Sequence, residues 1–455
     1  MTTENTEAVG DADGEQRHGE RPFDPWRFPI TLSGQNFVDE VAALLEAHEE
    51  EAGLRKRKRR PNDKRTFERM LTALASDLAI NALCDEATGL HLSRSNRHLG
   101  RVSRYGNAAT SKTLRQLLDL MADPRVALIE QKLGYRAKKG QSKRTVVVPS
   151  VRLQQLVQLY ELTPADFGER PRPEPIELKS CPVSRKKRGQ LIDYPETAIT
   201  MGLRSQVREI NVFLSMASLD FTGSAAVDVN KRQLRRVFTR ESFESGGRLF
   251  GGFWQLMSKR DRLSHLKING EDVIELDYGQ VMPRLVYALA GQVPGMDDLY
   301  AIPGFEEYRP GIKKVASSML FVEAPKSRFP VDTRHLFPKA VKIGDVTDAI
   351  MAAHPDIAGY FFTGIGHRCQ FLESEILVEV LLTLKSHGIV ALPIHDAVLV
   401  PASAAAKAMA VMLEVFKKRT GQEGVVDLIT KEQLETADDT SDEAEVHAEP
   451  LQLVA

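Results

Sequence analysis

Asp277 closes a short apolar, β-branched run, Val273-Ile274-Glu275-Leu276, and a helical stretch from Arg284 to Leu289 follows it. A carboxylate at a strand end, just before a helix, is well placed to hold a metal ion at a sheet edge. Further along, His395-Asp396 stands between the apolar runs Gly388 to Ile394 and Ala397 to Pro401, the pattern of a β-hairpin with its acid at the tip. Each acid alone has a plain structural reading, since Asp caps helices and populates turns. As a pair they fit phosphoryl transfer, which needs charge neutralisation and positioning more than covalent help. Two Mg²⁺ ions about 3.5–4 Å apart supply both. Mg²⁺ takes hard oxygen ligands and few of them, so two carboxylates from adjacent strands suffice.

A third element lies between them, running Arg309-Pro310-Gly311-Ile312-Lys313 and on to Phe321. In a helix, positions 309, 313, 317 and 321 fall near one face. Two cations one turn apart with an aromatic beyond them suit a triphosphate at one end and a base at the other. The alternative for any Arg-x-x-x-Lys is a solvated amphipathic helix.

Asp277-Tyr278-Gly279-Gln280-Val281-Met282-Pro283-Arg284-Leu285 resembles motif A of family A DNA polymerases, D-Y-S-Q-I-E-L-R. Arg309-x3-Lys313-x7-Phe321 resembles motif B, R-x3-K-x7-Y, which those enzymes share with phage-type single-subunit RNA polymerases. Ile394-His395-Asp396 resembles motif C. The three occur in the family's order, which is more specific than any one of them. Gly246-Gly247-Arg248-Leu249 is similar to the T-G-R-L stretch upstream of motif A, and Gln370 to the Gln that precedes motif C. The resemblance covers roughly residues 240 to 402, and no proofreading-exonuclease pattern accompanies it.

The resemblance implies a template-directed nucleotidyl transferase, a DNA or RNA polymerase or primase-like enzyme of the kind that serves plasmid, phage or mobile-element replication. It implies that Asp277 and Asp396 bind two Mg²⁺ or Mn²⁺ ions, with the Tyr278 carbonyl assisting. Lys313 and Arg309 would grip the triphosphate, Gln280 would line the nucleotide site, and Phe321 would stack near the nascent base pair. His395, Arg248 and Gln370 would lie near the primer. Partners would be a DNA or RNA template-primer and nucleoside triphosphates. Four departures bear on this. Met282 stands where DNA polymerases carry a Glu that gates the sugar, and Phe321 where RNA polymerases use a Tyr hydroxyl to sense the 2′-OH. Ala397 replaces the Glu after the His-Asp pair, and Val322 the Gly after motif B. A second implication therefore stands beside the enzyme: a catalytically inactive polymerase-fold nucleic-acid-binding protein or replication initiator.

The expected fold class is α+β: an antiparallel polymerase-like palm sheet with helical fingers over 195–433, preceded by a helical, winged-helix-like domain over 31–163. Helical periodicity marks Phe37 to Leu45, Phe67 to Leu83 and Thr113 to Met121. After them come a strand around Val126 to Glu130, a basic turn, and the strand Thr145 to Pro149. The turn carries Lys138, Lys139, Lys143 and Arg144, which suit contact with a nucleic-acid backbone. The alternative is a small α+β packing domain with a solvated charged loop. Residues 164–194, rich in Pro, Arg and Lys, read as a linker. The acidic ends, 1–30 and 434–455, read as disordered.

The 455 residues are 42% hydrophobic and carry a formal net charge of -1. That neutrality hides a basic middle, with Arg55 to Arg60 as its densest run, between acidic ends. Cys84, Cys181 and Cys369 lack any CxxC spacing, so neither a zinc site nor a disulfide framework is expected. No apolar run approaches the ~18 residues a membrane span needs, and the acidic N-terminus is unlike a signal peptide. The expectation is a cytoplasmic protein with no membrane partner.

Overall fold

The computed structural model describes residues 20–83, 89–100, 103–107, 109–135, 143–182, 189–223 and 227–436. Helices alternate with mostly antiparallel sheets, the α+β class. The chain divides into two compact units, Met1–Glu174 with Gly223–Gln233, and Pro175–Thr222 with Leu234–Ala455.

The first unit is built on two long helices, Leu32–Glu51 and Pro61–Leu83. The Thr31 hydroxyl accepts from Gly34 N and so caps the first; Pro61, which has no N–H to satisfy, opens the second. The first outruns its periodic stretch at both ends and the second at its N-terminal end, because the added polar turns carry no apolar signal. Phe37, Val41 and Leu45 of the first helix meet Met70, Leu74 and Leu78 of the second in a core with almost no exposure. A four-stranded sheet covers that core in the order Glu20–Pro22, Gly89–Leu92, Thr145–Pro149, Ile129–Lys132.

The structure departs from expectation at three boundaries. Residues 20–30 belong to the stretch 1–30 that reads as disordered, yet Glu20–Pro22 and Arg27–Pro29 are strands, paired with Gly89–Leu92 and Phe167–Glu169. Residues 164–194 were assigned to a linker, yet they contain the strands Phe167–Glu169 and Ile176–Leu178, and the division between units falls inside them. Pro and Arg on either side of three-residue strands mask them, while Phe167 and Ile176 are fully buried. The helix Lys431–Thr436 likewise runs into the stretch assigned to the acidic tail; residues 437–455 lie outside the described residues.

The strand Arg27–Pro29 is held by charge. Arg27, 3% exposed, faces Asp24, Asp77 and Asp228, and Arg21 Nη1 lies 2.8 Å from Asp77 Oδ1. Burial, then the Asp24 charge, push the nearby Glu169 carboxyl up to about 8. Removing one partner from such a cluster strands the others without water. Arg27→Ala is therefore expected to destabilise the protein by about 3–5 kcal/mol. Urea denaturation would measure this; a loss under about 1 kcal/mol would mean that other cations compensate.

The second unit is organised by an antiparallel sheet in the order Leu392–Ile394, Ala397–Pro401, Glu271–Tyr278, Leu266–Ile268, Leu219–Phe221. Val426–Ile429 pairs with the C-terminal half of Glu271–Tyr278, so that strand has neighbours on both sides. A three-stranded sheet, Ser242–Phe250, Arg235–Thr239 and Ile176–Leu178, packs on the helix Gly366–Ser386. The helices Val281–Ala290, Arg309–Phe321, Ile343–Ala353 and Ala405–Thr420 complete the unit. Among the described residues no helix is long and apolar enough to cross a membrane.

Candidate active site

Alternation along Glu271–Tyr278 sorts its side chains. Tyr278 lies on one face, where its hydroxyl donates to Met412 O at 2.7 Å and its ring meets Phe416, both on the helix Ala405–Thr420. Glu275 and Asp277 lie on the other. Lys259 Nζ and Arg262 Nη2 clamp the two Glu275 oxygens at 3.0 and 3.3 Å. Asp277 stands in register with Ala397, the residue after Asp396. His395 and Asp396 form the two-residue turn joining Leu392–Ile394 to Ala397–Pro401, with His395 in the left-handed region at φ 53°. The two acids thus meet at one end of the central strand pair.

Their electrostatics follow from that meeting. The Asp277 carboxyl is pushed up to about 8, first by burial, then by the charges of Asp396 and Glu275; Lys259 and Lys313 pull it down. Among the described residues its buried Oδ1 has no hydrogen-bond partner. A buried, unsatisfied carboxylate oxygen beside a second carboxylate fits a cation better than it fits a structural cap. Among the described residues no three His, Cys, Asp or Glu side chains gather at one point. The protein ligands of an ion here would be two carboxylates and a main-chain carbonyl, a set that suits Mg²⁺ with water completing its shell.

Arg248 reaches the same place from the strand Ser242–Phe250. That strand bulges at Gly246 and Gly247, with φ 76° and 87°, which re-aims the residue that follows. Arg248 Nε and Nη2 donate to Glu373 Oε1 and Oε2 at 2.7 and 2.9 Å. Glu373 is 1% exposed, and its carboxyl is raised by burial and by the Asp396 charge. His395 is lowered to about 4 by burial and by Arg248, so it is neutral at pH 7; its buried Nδ1 has no partner among the described residues and its ring stands edge-on to Phe250. Gln370 sits on the helix Gly366–Ser386, one turn before Glu373, and is half-buried.

The helix Arg309–Phe321 forms as its sequence suggests, with Arg309 and Lys313 exposed and Phe321 half-buried at its end. The Lys313 charge reaches Asp277. Phe321 is held edge-on to His367 at 5.1 Å, and a Cβ on Gly366 would fall 2.9 Å from its ring, so this close approach requires glycine. Arg309 is bound elsewhere: its Nε and Nη2 donate to Asp298 at 2.6 and 3.0 Å, and its guanidinium lies over Tyr300. Gln280 does not point into an open site. Its Oε1 accepts from Leu299 N at 2.5 Å and its Nε2 donates to Asp297 O at 3.3 Å.

The structure therefore brings together Asp277, Asp396, His395, Arg248 and Lys313, and ties Arg309 and Gln280 to a neighbouring loop. It adds Glu275, Lys259, Glu373, Asp298 and Tyr300. Tyr300 is buried within reach of the charges of both Asp396 and Arg309. In the first unit, Ile129–Lys132 and Thr145–Pro149 form a hairpin extended by a bridge between Tyr135 and Lys143, and Arg144 Nη1 lies 3.4 Å from His91 Nδ1. Lys138 and Lys139 lie outside the described residues.

No protein-family model matches the chain. No curated protein matches its sequence. Among solved structures, it is similar to the POL domain of Pol1 from M. smegmatis in complex with DNA primer-template and dNTP. The identity is 9% and the TM-score 0.30, over 88% of this chain and 70% of that one.

Proposed function

We propose that the chain is a template-directed nucleotidyl transferase, a DNA or RNA polymerase or primase-like enzyme of the single-subunit family A type. The observation that supports this best is the meeting of Asp277 and Asp396 at one sheet end, with Asp277 Oδ1 buried and unpartnered. In this reading Asp277, Asp396 and the Tyr278 carbonyl hold two Mg²⁺ or Mn²⁺ ions. When bound, the ions supply charge neutralisation at the attacking hydroxyl and the leaving phosphates. Lys313 and Arg309 bind the triphosphate. Phe321, fixed by His367 and Gly366, offers a flat face to the nascent base pair. Neutral His395 donates or accepts a hydrogen bond near the primer end, where Arg248 and Gln370 also contact nucleic acid. Lys138, Lys139, Lys143 and Arg144 meet the phosphate backbone as the wing of a winged-helix-like domain.

One observation favours the inactive, initiator-like reading. Two cations meant for nucleic acid or nucleotide, Arg248 and Arg309, are engaged by the acids Glu373 and Asp298. Primer extension decides between the readings. The purified protein would be given a labelled primer on DNA and on RNA templates, with dNTPs or rNTPs and Mg²⁺ or Mn²⁺. Extension supports the enzyme; nucleic-acid binding without extension supports the initiator.

The same assay tests sugar choice. Met282 and Phe321 offer only apolar surface where a sugar-sensing group would stand. An apolar pocket rejects an added hydroxyl by about a hundredfold at most. Rates with rNTPs and dNTPs are thus expected to differ by less than that, and stronger discrimination would refute relaxed selection.

A further inference from the structure

We propose that Asp298 is a positioning residue for Arg309, and that residues 297–300 gear the start of the helix Arg309–Phe321 to the strand that carries Asp277. The proposal rests on the reading of Arg309 as a triphosphate ligand.

A guanidinium presents five N–H groups in a rigid plane. Asp298 takes the edge formed by Nε and Nη2. Among the described residues the outer edge, with Nη1, has no partner and stays available for a phosphate. The Tyr300 ring lies 5.6 Å from the guanidinium carbon and limits its swing. Arg309 is 48% exposed and stands at the first turn of its helix, so without these contacts its long side chain would sample many rotamers.

The loop that supplies both contacts is itself fixed. Asp298 Oδ1 accepts from Tyr300 N at 3.1 Å, which sets the carboxylate. Arg284 Nη2 donates to Asp297 O at 3.2 Å, while Gln280 bonds to Asp297 O and to Leu299 N. Leu299 O lies 2.9 Å from His354 Nε2, and the Tyr287 hydroxyl 2.9 Å from His354 Nδ1. Because a carbonyl only accepts, Nε2 carries the proton and Nδ1 accepts from Tyr287. Gln280, Arg284 and Tyr287 all belong to the turn and helix that follow Asp277. A continuous set of bonds therefore runs from the metal-site strand through the loop to the Arg309 guanidinium.

A purely repulsive role makes the opposite prediction. If the Asp298 charge merely competed with the triphosphate, its removal would tighten binding. Calorimetric titration of the full chain with Mg²⁺ and inorganic tripolyphosphate separates the two. Asp298→Ala is expected to weaken binding about three- to tenfold, the cost of immobilising one free side chain. Asp298→Asn, which keeps an acceptor oxygen, should fall between Ala and wild type. Arg309→Ala should weaken binding at least as much, and the Asp298→Ala/Arg309→Ala double variant no further. Unchanged or tighter binding in Asp298→Ala, additive losses, or no tripolyphosphate binding by the wild type would each overturn the proposal. Primer extension run in parallel keeps the two readings apart. Asp298-dependent binding without extension sustains the positioning role and sinks the polymerase; extension with binding indifferent to Asp298 does the reverse.

Discussion

Asp277→Asn and Asp396→Asn each lower primer extension by about 10³-fold or more, and neither destabilises the protein. The size of the loss follows from the chemistry. Phosphoryl transfer relies on charge stabilisation, and single charges at such sites are worth about 10³–10⁵ in rate. A 10³-fold loss is about 4 kcal/mol of transition-state stabilisation. Asn keeps the shape of Asp and removes the charge proposed to bind the ions, so packing stays nearly as it was. The stability half of the result separates this account from simple unfolding. Asp277 is held against burial and against two neighbouring carboxylates, and its Oδ1 has no hydrogen bond. Neutralising it relieves that cost.

Because the folded-state Asp277 carboxyl is raised to about 8, it stays neutral in the fold while its unfolded counterpart ionises, so stability is full below the ordinary carboxylate range and is lost progressively as pH rises to about 8. Thermal melting without divalent ions should therefore show Asp277→Asn gaining on wild type as pH goes from 5 to 9. Added Mg²⁺ should narrow the gap by stabilising only the wild type. A variant that melts well below wild type at every pH, or that extends primers within tenfold of it, would remove Asp277 from the chemistry.

The elements that carry these acids were legible because their signals are local. Val273, Ile274 and Leu276 make an apolar, largely β-branched run up to Asp277, two apolar runs bracket His395-Asp396, and Ile312, Val315, Met319 and Leu320 give Arg309–Phe321 a clear helical stripe. What surrounds the acids was not legible, because it joins residues far apart in sequence. Glu373 and Arg248 meet only through the packing of a helix on a bulged strand. A usable signal did exist. Glu373 falls among Cys369, Ile376, Leu377, Val380 and Leu384 on the buried face of its helix, as Asp77 falls among Leu74, Leu78 and Asn81. An acid in register with an apolar stripe cannot be solvated, so it announces a buried cation elsewhere. Asp298 and Tyr300 had no such signal, since loops carry no period. The return of Gly223–Gln233 to the first unit was hidden for the same reason.

Lys313 and Arg309, which look equivalent in the sequence, differ in the structure, and their substitution should show it. Lys313 acts on Asp277, whereas the charges that Arg309 meets are those of Asp298, Tyr300 and Asp427. In the proposed reading Lys313 is therefore the cation nearer the bond that breaks, and Arg309 the one nearer the far end of the triphosphate. Removing a preorganised charge that acts on the transition state costs about 10²–10³ in kcat. Removing one that holds ground state and transition state alike raises KM instead. Lys313→Ala is thus expected to lose about 10²–10³ in kcat for single-nucleotide incorporation, with Lys313→Arg recovering part of it. Arg309→Ala is expected to raise the nucleotide KM about tenfold with kcat changed by less than about threefold. Measuring both constants for the four proteins checks the assignment. If Arg309→Ala carried the larger kcat loss, the triphosphate would have to lie the other way along the helix. The Lys313 charge on Asp277 would then be incidental.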